Sequence, residues 1–134
     1  MRDKKLDQLI QQLETYLECW KQFNRFLGLT RTRKFGAEDE QQFLEVKSVI
    51  VQELELILSI VDNGTPTREE VHTLISTAPS LRTISEMNDS ALRNLENQWH
   101  KIYIGWHAVV GQLKVRQREL ANKSPLAALF GRKS

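Results

Sequence analysis

The apolar residues of two long segments, 3–28 and 89–121, recur in alternating steps of three and four residues. This spacing places them along one side of an α-helix, because the helix has about 3.6 residues per turn. The seam of the first segment consists of Leu6, Leu9, Leu13, Tyr16, Trp20, Phe23 and Leu27. The seam of the last segment consists of Leu92, Leu95, Trp99, Ile102, Trp106, Val109 and Leu113. We therefore predict two long helices with these seams in a shared core, the first ending at Gly28.

Residues 37–61 predict a second long helix, but its apolar residues cover most of the circumference. The acidic start, Glu38–Asp39–Glu40, suits the N-terminal end of a helix dipole. A helix that is apolar nearly all round must be covered nearly all round. Because three neighbouring helices from one short chain do not provide that cover, we expect a partner subunit to contact this helix.

A broken helix is predicted between the second and the last long helices. A short helix that ends near Thr77 has two candidate starts. Thr65 can cap it with Pro66 at the first helical position, or Thr67 and Glu70 can form an alternative capping box. Pro79 ends this helix, because the residue before a proline resists helical geometry, and Ser80 can cap a second short helix. The predicted fold is therefore all-α, an up-down bundle of three long helices plus a short third helix in two pieces. Its predicted core contains Leu13, Trp20, Phe23, Ile50, Leu54, Ile57, Leu92, Trp99, Ile102, Trp106 and Val109.

Residues 123–134 predict a short C-terminal amphipathic helix, which follows a single bundle domain of residues 1–122. Pro125 suits the first turn of such a helix and Gly131 suits its end. The residues that share its apolar face are Leu126, Leu129 and Phe130. Since isolated apolar turns are rarely left in water, we expect this face to contact the bundle, a second copy or another protein.

The composition predicts one soluble domain. Of 134 residues, 40% are hydrophobic and 27% are charged, and the formal net charge is +2. The single cysteine, Cys19, excludes an intrachain disulfide and a multi-cysteine zinc site. No segment approaches the ~20 apolar residues of a membrane span, and the charged first ten residues do not resemble a secretory signal. We therefore expect a cytoplasmic protein with no membrane span.

The histidines do not complete a metal or catalytic motif. His100 and His107 lie about 10.5 Å apart along a helix, whereas chelation by one helix needs a spacing of three or four residues. Glu69 and His72 match half of a di-iron motif, but the chain has no second Glu-x-x-His. Cys19 lies in mid-helix, far from a helix N-terminus that would activate its thiol. We therefore predict no catalytic residue, no cofactor and no metal ion, and expect a protein that is not an enzyme.

Two basic clusters make a nucleic-acid or polyanion binder the alternative function. One lies in the loop after the first helix and the other near the end of the last helix. They consist of Arg31, Arg33 and Lys34, and of Lys114, Arg116 and Arg118. We expect an antiparallel arrangement of these two helices to gather both clusters at one end of the bundle. Phosphate contacts need only such charges, but the small net charge and the acidic second helix argue against nucleic acid.

The leading hypothesis is a non-catalytic interaction or scaffold protein that forms a homodimer or binds another helical protein. Its basis is the apolar second helix together with the apolar tail. The residues predicted to make the contact are Leu44, Val51 and Leu58 in the helix, and Leu126, Leu129 and Phe130 in the tail.

Overall fold

The computed structural model describes residues 3–61 and 66–122, and within these residues the chain forms five α-helices and no β-strand. The helices are α1 (Lys4–Thr32), α2 (Ala37–Leu58), α3 (Arg68–Thr77), α4 (Leu81–Ser85) and α5 (Asp89–Asn122). The prediction of an all-α fold is confirmed. The predicted tail helix falls in residues 123–134, which lie outside the described residues.

The first helix is longer than the sequence indicates. α1 continues through Gly28, so the prediction that this glycine ends the helix is wrong. Leu27 and Thr30, on either side of it, are both buried, and continuing the helix keeps both against the core. α1 ends where Arg33 adopts a left-handed conformation with φ of 57° and donates its backbone N–H to the Leu29 carbonyl. The loop to α2 is correspondingly short.

α3 begins after Thr67, the alternative of its two predicted starts, and not at Pro66, and α4 begins after Ser80 as predicted. The Thr67 hydroxyl accepts a hydrogen bond from the Glu70 backbone N–H at 3.1 Å, and the Glu70 carboxylate accepts one from the Thr67 N–H at 3.0 Å. The Ser80 hydroxyl accepts from the Thr83 N–H at 3.1 Å and so caps α4. The capping box and the second cap are therefore confirmed, with Pro79 in the break between the two helices.

α1 runs antiparallel to both α2 and α5. The Tyr16 hydroxyl, near the middle of α1, donates to the Ile50 carbonyl of α2 at 2.9 Å. The Gln117 amide, near the end of α5, donates to the Asp7 carboxylate at 2.7 Å. The Asp7 contact therefore places the basic end of α5 beside the first turns of α1.

The broken helix lies between α2 and α5. Arg68, at the start of α3, contacts Glu55 of α2 at 2.9 Å. Glu70 lies 3.5 Å from Lys101 of α5. α4 packs against α1. These contacts place α3 between α2 and α5, and α4 against α1.

The two glycines of α5 have different surroundings. A Cβ atom at Gly105 would lie 2.9 Å from the Cγ atom of Pro66, a buried residue just before α3. The close approach of Pro66 therefore requires a glycine at position 105. A Cβ atom at Gly111 would meet nothing within 4 Å in the described part of the chain, so no close packing requires a glycine there.

The core is aromatic at its centre. Tyr16 packs edge-on against Trp20 and Trp106, with ring centroids 6.1 and 5.5 Å apart. Phe23 and Phe43 continue the cluster towards the C-terminal end of α1 and the N-terminal end of α2. Every residue of the predicted core is buried, which confirms the helical seams read from the sequence. The Trp99 indole N–H donates to the Trp20 carbonyl and links α5 to α1.

Candidate interaction surface

Outside its buried side, α2 carries an exposed row of residues four positions apart, which winds around the helix because each four-residue step turns about 40° beyond a full turn. The core side of α2 buries Phe43, Lys47, Ile50, Leu54 and Ile57. The exposed row, here called the α2 ridge, consists of Leu44, Ser48, Gln52, Leu56 and, in the turn after the helix, Ile60. The exposed fractions of its three large apolar side chains are 52% for Leu44, 51% for Leu56 and 60% for Ile60. Residues four apart form one of the ridges by which helices pack together.

The α2 ridge carries no charge, although 27% of the residues in the chain are charged. Two acids, Glu45 and Glu55, lie beside it. Glu55 is held by Arg68 through two hydrogen bonds of 2.9 Å, and this contact lowers the pKa of its carboxyl group. A partner that covers the α2 ridge therefore buries only apolar and neutral polar groups of the ridge. No charged group of the ridge has to be desolvated.

A groove between α1 and α2 lies beside the ridge. It has a volume of about 400 Å³ and is lined by Cys19, Gln22, Arg25, Phe26, Gln42, Glu45, Val46 and Val49. Val49 is 40% exposed, and Phe26 and Val46 are half-buried. Burial raises the pKa of the Cys19 thiol, with a smaller contribution from Glu53. The thiol is therefore kept protonated, which fits a packing role and not a nucleophilic one.

The structure separates the three helix-two residues that the sequence predicts as contacts. Leu44 belongs to the exposed α2 ridge. Val51 and Leu58 are half-buried, and Leu58 packs against the core. Sequence reasoning missed Leu56 and Ile60, because it selected positions seven apart. Leu56 and Ile60 are instead identified by a spacing of four residues, because every residue in that row is uncharged and exposed.

The predicted tail contacts, Leu126, Leu129 and Phe130, lie outside the described residues. The described chain leaves a cleft of about 280 Å³ between the start of α1, the end of α2 and the last third of α5. It is lined by Asp3, Lys5, Leu6, Leu9, Ile60, Val61, Val109, Gln112, Leu113 and Arg116. Ile60 therefore belongs both to this cleft and to the α2 ridge.

The two predicted basic clusters lie at opposite ends of the bundle. Arg31 contacts Glu96 at 2.6 Å and Asp89 at 3.6 Å near the start of α5. Lys114 contacts Glu14 at 3.0 Å, and Glu14 lies about 25 Å from Arg31 along α1. The expectation that an antiparallel arrangement gathers both clusters is wrong, because antiparallel helices place their C-terminal ends apart. The other cluster members, Arg33, Lys34, Arg116 and Arg118, are exposed.

The three histidines are exposed and lie apart from one another along the fold. The His107 imidazole lies 3.1 Å from the Tyr103 hydroxyl, and Tyr103 stacks on Trp99 with ring centroids 4.8 Å apart. Within residues 3–61 and 66–122, no three His, Cys, Asp or Glu side chains are grouped so that they could hold a metal ion.

Lys47 has a structural role that sequence reasoning missed. Its ammonium group is buried, and donates to the Ala78 carbonyl at 2.9 Å and to the Pro79 carbonyl at 2.7 Å. It also lies 4.9 Å from the ring centroid of Phe43. Burial lowers the pKa of Lys47. The side chain satisfies carbonyl groups that the end of α3 leaves without helical partners, and so ties α2 to the break before α4.

Comparison of the chain with protein-family models, curated proteins and solved structures finds no match. Among the helices of the described residues, none combines the length and the apolar character needed to cross a membrane.

Proposed function

We propose that this chain is a non-catalytic interaction protein, built as an up-down helical bundle, that forms a homodimer through the α2 ridge. The observation that carries the proposal is an uncharged, exposed ridge on a helix whose opposite side already fills the core. An apolar helix face in excess of what its own fold covers is typical of a surface that meets another protein.

The neighbouring groove supports the same surface. Val49 lies on the lip of the groove between α1 and α2, beside the ridge, and half-buried Phe26 and Val46 line it. When a partner helix packs on the α2 ridge, some of its side chains can enter this neighbouring groove. Covering the exposed half of a leucine contributes roughly 1 kcal/mol, which must offset the entropy lost on association. We therefore expect a concentration-dependent dimer.

The test is the molar mass of variants measured by light scattering on a size-exclusion column. Leu56→Lys places a charge at the centre of the α2 ridge, and Ile104→Lys makes a matched change on α5. The two side chains have the same exposed fraction, 51%. We expect wild type and Ile104→Lys to have twice the 15.6 kDa mass of one chain, and Leu56→Lys to be a monomer at the same concentration.

Circular dichroism serves as the control, because Leu56 and Ile104 are both exposed and neither lysine should alter the helical spectrum. A wild type that stays monomeric as its concentration rises contradicts the proposal. So does a Leu56→Lys variant that keeps the wild-type dimer mass. Dissociation by Ile104→Lys alone would move the contact to α5.

The tail is a separate arm of the same test. Removal of residues 123–134 deletes the predicted contacts Leu126, Leu129 and Phe130 without touching the α2 ridge. The tail hypothesis predicts a weaker dimer for the shortened chain. An unchanged dissociation constant would remove the tail from the interface and leave the α2 contact standing.

A further inference from the structure

Within the described chain, the fourth side of the bundle is filled along only part of α5. α3 lies on this side, between α2 and α5, and begins near Gly105, where Pro66 closely approaches α5. From there α3 runs towards the N-terminal end of α5, because Glu70 contacts Lys101. α5 itself continues from Gly105 to Asn122, which is about 25 Å. Among the described helices, none continues the line of α3 along this part of α5.

The cleft of about 280 Å³ lies in this gap, between the start of α1, the end of α2 and the last third of α5. Its buried lining comes from the two long seams and consists of Leu6, Leu9, Val109 and Leu113. Leu9 and Leu113 each remain 8% exposed, whereas Leu13, one turn further along α1, is completely buried. Ile60 also lines the cleft and is 60% exposed. This end of the core is therefore covered less completely than its centre.

The cleft has the length of a two-turn helix. Along α5 it extends from Val109 to Arg116, which is about 10 Å. The helix that the sequence predicts for residues 125–130 has a length of about 9 Å. Its apolar residues are three and four positions apart and share one face; they are Leu126, Leu129 and Phe130. The predicted helix and the cleft therefore match in length and in apolar character.

The tail begins at the end of the helix that lines the cleft, so its reach can be compared with the distance. Leu113 lies nine residues before Asn122, about 13 Å along α5. Leu126 lies four residues after Asn122, and four extended residues span at most about 13–14 Å. Leu126 can therefore return to the level of Leu113. A helix that continues from there brings Phe130 to the level of Val109.

The covalent connection favours the tail of the same chain over a free partner. A segment joined to its binding site by a short link has an effective concentration in the millimolar range. A second copy at micromolar concentration lacks this advantage and also loses translational freedom when it binds.

We infer that residues 123–134 fold back on their own bundle and place Leu126, Leu129 and Phe130 in the cleft between α1, α2 and α5. The tail then continues the line of α3 and covers the end of the core. The cleft is formed by one chain, so this contact does not depend on the proposed dimer. Because Ile60 belongs to both the cleft and the α2 ridge, the docked tail lies beside the end of the ridge.

Thiol labelling tests whether the tail covers the cleft. The reporter is Ile60→Cys in a full-length chain that also carries Cys19→Ser, which removes the native thiol, and Leu56→Lys, which prevents association through α2. Phe130→Ser weakens the apolar face of the tail, and Ala128→Ser is the matched control on the opposite side of the same predicted helix. If the tail is docked in at least ~80% of molecules, Phe130→Ser raises the rate of alkylation by iodoacetamide at least ~5-fold. Ala128→Ser is expected to leave this rate unchanged.

A second reporter controls for a general loosening of the bundle. Leu44→Cys replaces Ile60→Cys in the same background and places the thiol at the other end of the ridge, where Leu44 is 52% exposed. We expect its alkylation rate to be the same with and without Phe130→Ser. An unchanged rate at position 60 overturns the inference. So does an equal rise at positions 44 and 60.

A nitroxide distinguishes the chain's own tail from that of a second copy. It is attached at Ala128→Cys in the background that carries Cys19→Ser and Leu56→Lys. We expect the methyl signals of Leu9 and Val109 to broaden, and those of Leu27, about 27 Å from Leu9 along α1, to stay sharp. Uniform broadening overturns the inference. The second sample mixes isotope-labelled chains without nitroxide and unlabelled chains with it, and its signals are expected to stay sharp. Broadening in this mixture would place the tail on a second copy and overturn the inference.

The inference and the proposed dimer fail separately. Light scattering first gives the mass of the chain that carries Leu56→Lys. A dimer at this step contradicts the α2 contact, and the nitroxide samples still decide where the tail binds. A monomer in which Phe130→Ser leaves the alkylation rate at position 60 unchanged contradicts the tail contact alone.

Discussion

The helices α1 and α2 are both rich in apolar residues, but they use them differently. α1 buries ten residues, and none of its large apolar side chains is exposed. α2 buries five residues, one of them Lys47, and leaves Leu44, Val49 and Leu56 at least 40% exposed. The apolar content of α1 is explained by folding alone. The apolar content of α2 exceeds what its fold covers, and in the proposed function this excess makes the contact with a second copy.

The largest expected effect on stability comes from shortening a buried side chain of α1. Trp20 of α1 is fully buried beside Tyr16 and Phe23. Trp20→Ala leaves a cavity, so we expect it to lower the free energy of unfolding by ~3–5 kcal/mol. Urea unfolding followed by circular dichroism measures this. A loss below ~1 kcal/mol would contradict the claim that α1 is anchored by this core.

The stability changes of two glycine variants of α5 are expected to have opposite signs, because one glycine is packed against a neighbour and the other faces open space. Gly105→Ala forces its Cβ against the Pro66 ring, and we expect a loss of ~1–3 kcal/mol from overpacking. Gly111→Ala meets open space, and we expect a gain of up to ~1 kcal/mol from higher helix propensity. Thermal unfolding of both variants is the measurement. Two changes of the same sign would contradict the packing described at Pro66.

Burial of Tyr16 in α1 also predicts that the stability of the fold depends on pH. Burial of Tyr16 in α1 raises the pKa of its hydroxyl well above the ordinary value of 10.0, and the hydroxyl donates to the Ile50 carbonyl. Because the unfolded chain ionises first, this contribution to stability is complete below pH 10 and decreases as the pH rises above it. Tyr16→Phe should cost ~1 kcal/mol at neutral pH and lose this alkaline decrease.

Urea unfolding of both proteins from pH 8 to pH 11 measures the difference. Lys47 acts in the opposite direction, because its lowered pKa adds stability as the pH rises towards its ordinary value of 10.5. Since both proteins contain Lys47, the difference between them isolates Tyr16. Parallel stability curves for wild type and Tyr16→Phe above pH 10 would contradict the buried position of the phenol.

The smallest expected effect on folding stability comes from a substitution on the exposed α2 ridge. Leu56→Lys lies on the exposed α2 ridge, so we expect it to change the unfolding free energy of the monomer by less than ~0.5 kcal/mol. Urea unfolding at a concentration below that of dimer formation measures it. Together with Trp20→Ala, this variant separates side chains needed for folding from those available for association. A loss as large as that of a core substitution would mean that Leu56 is covered within its own chain.

Much of the fold was predictable because it depends on local periodicity. The seams of α1 and α5 identify the core, and the caps at Thr67 and Ser80 identify the short helices. Gly28 misled the prediction, since burial of Thr30 after it outweighs the cost of a glycine inside a helix. The buried position of Lys47 depends on carbonyl groups 31 and 32 residues further along the chain, which local periodicity cannot reveal.

The candidate surface was predictable only in part. The excess of apolar residues in α2 follows from the sequence, because it depends on composition and helical period. Which of them remain exposed depends on where α1 and α3 pack, and this decides between Leu58, half-buried against the core, and Leu56, on the α2 ridge. The separation of the basic clusters depends in the same way on the antiparallel packing of α1 and α5.

Side-chain footprinting with hydroxyl radicals, over a range of protein concentrations, tests the central claim most directly. It compares Leu56 with Ile104, whose exposed fractions in the single chain are equal. The α2 contact predicts that labelling of Leu56 falls as the concentration rises and dimers form, while labelling of Ile104 stays constant. Constant labelling of Leu56 across the transition, or a fall confined to Ile104, would contradict association through the α2 ridge.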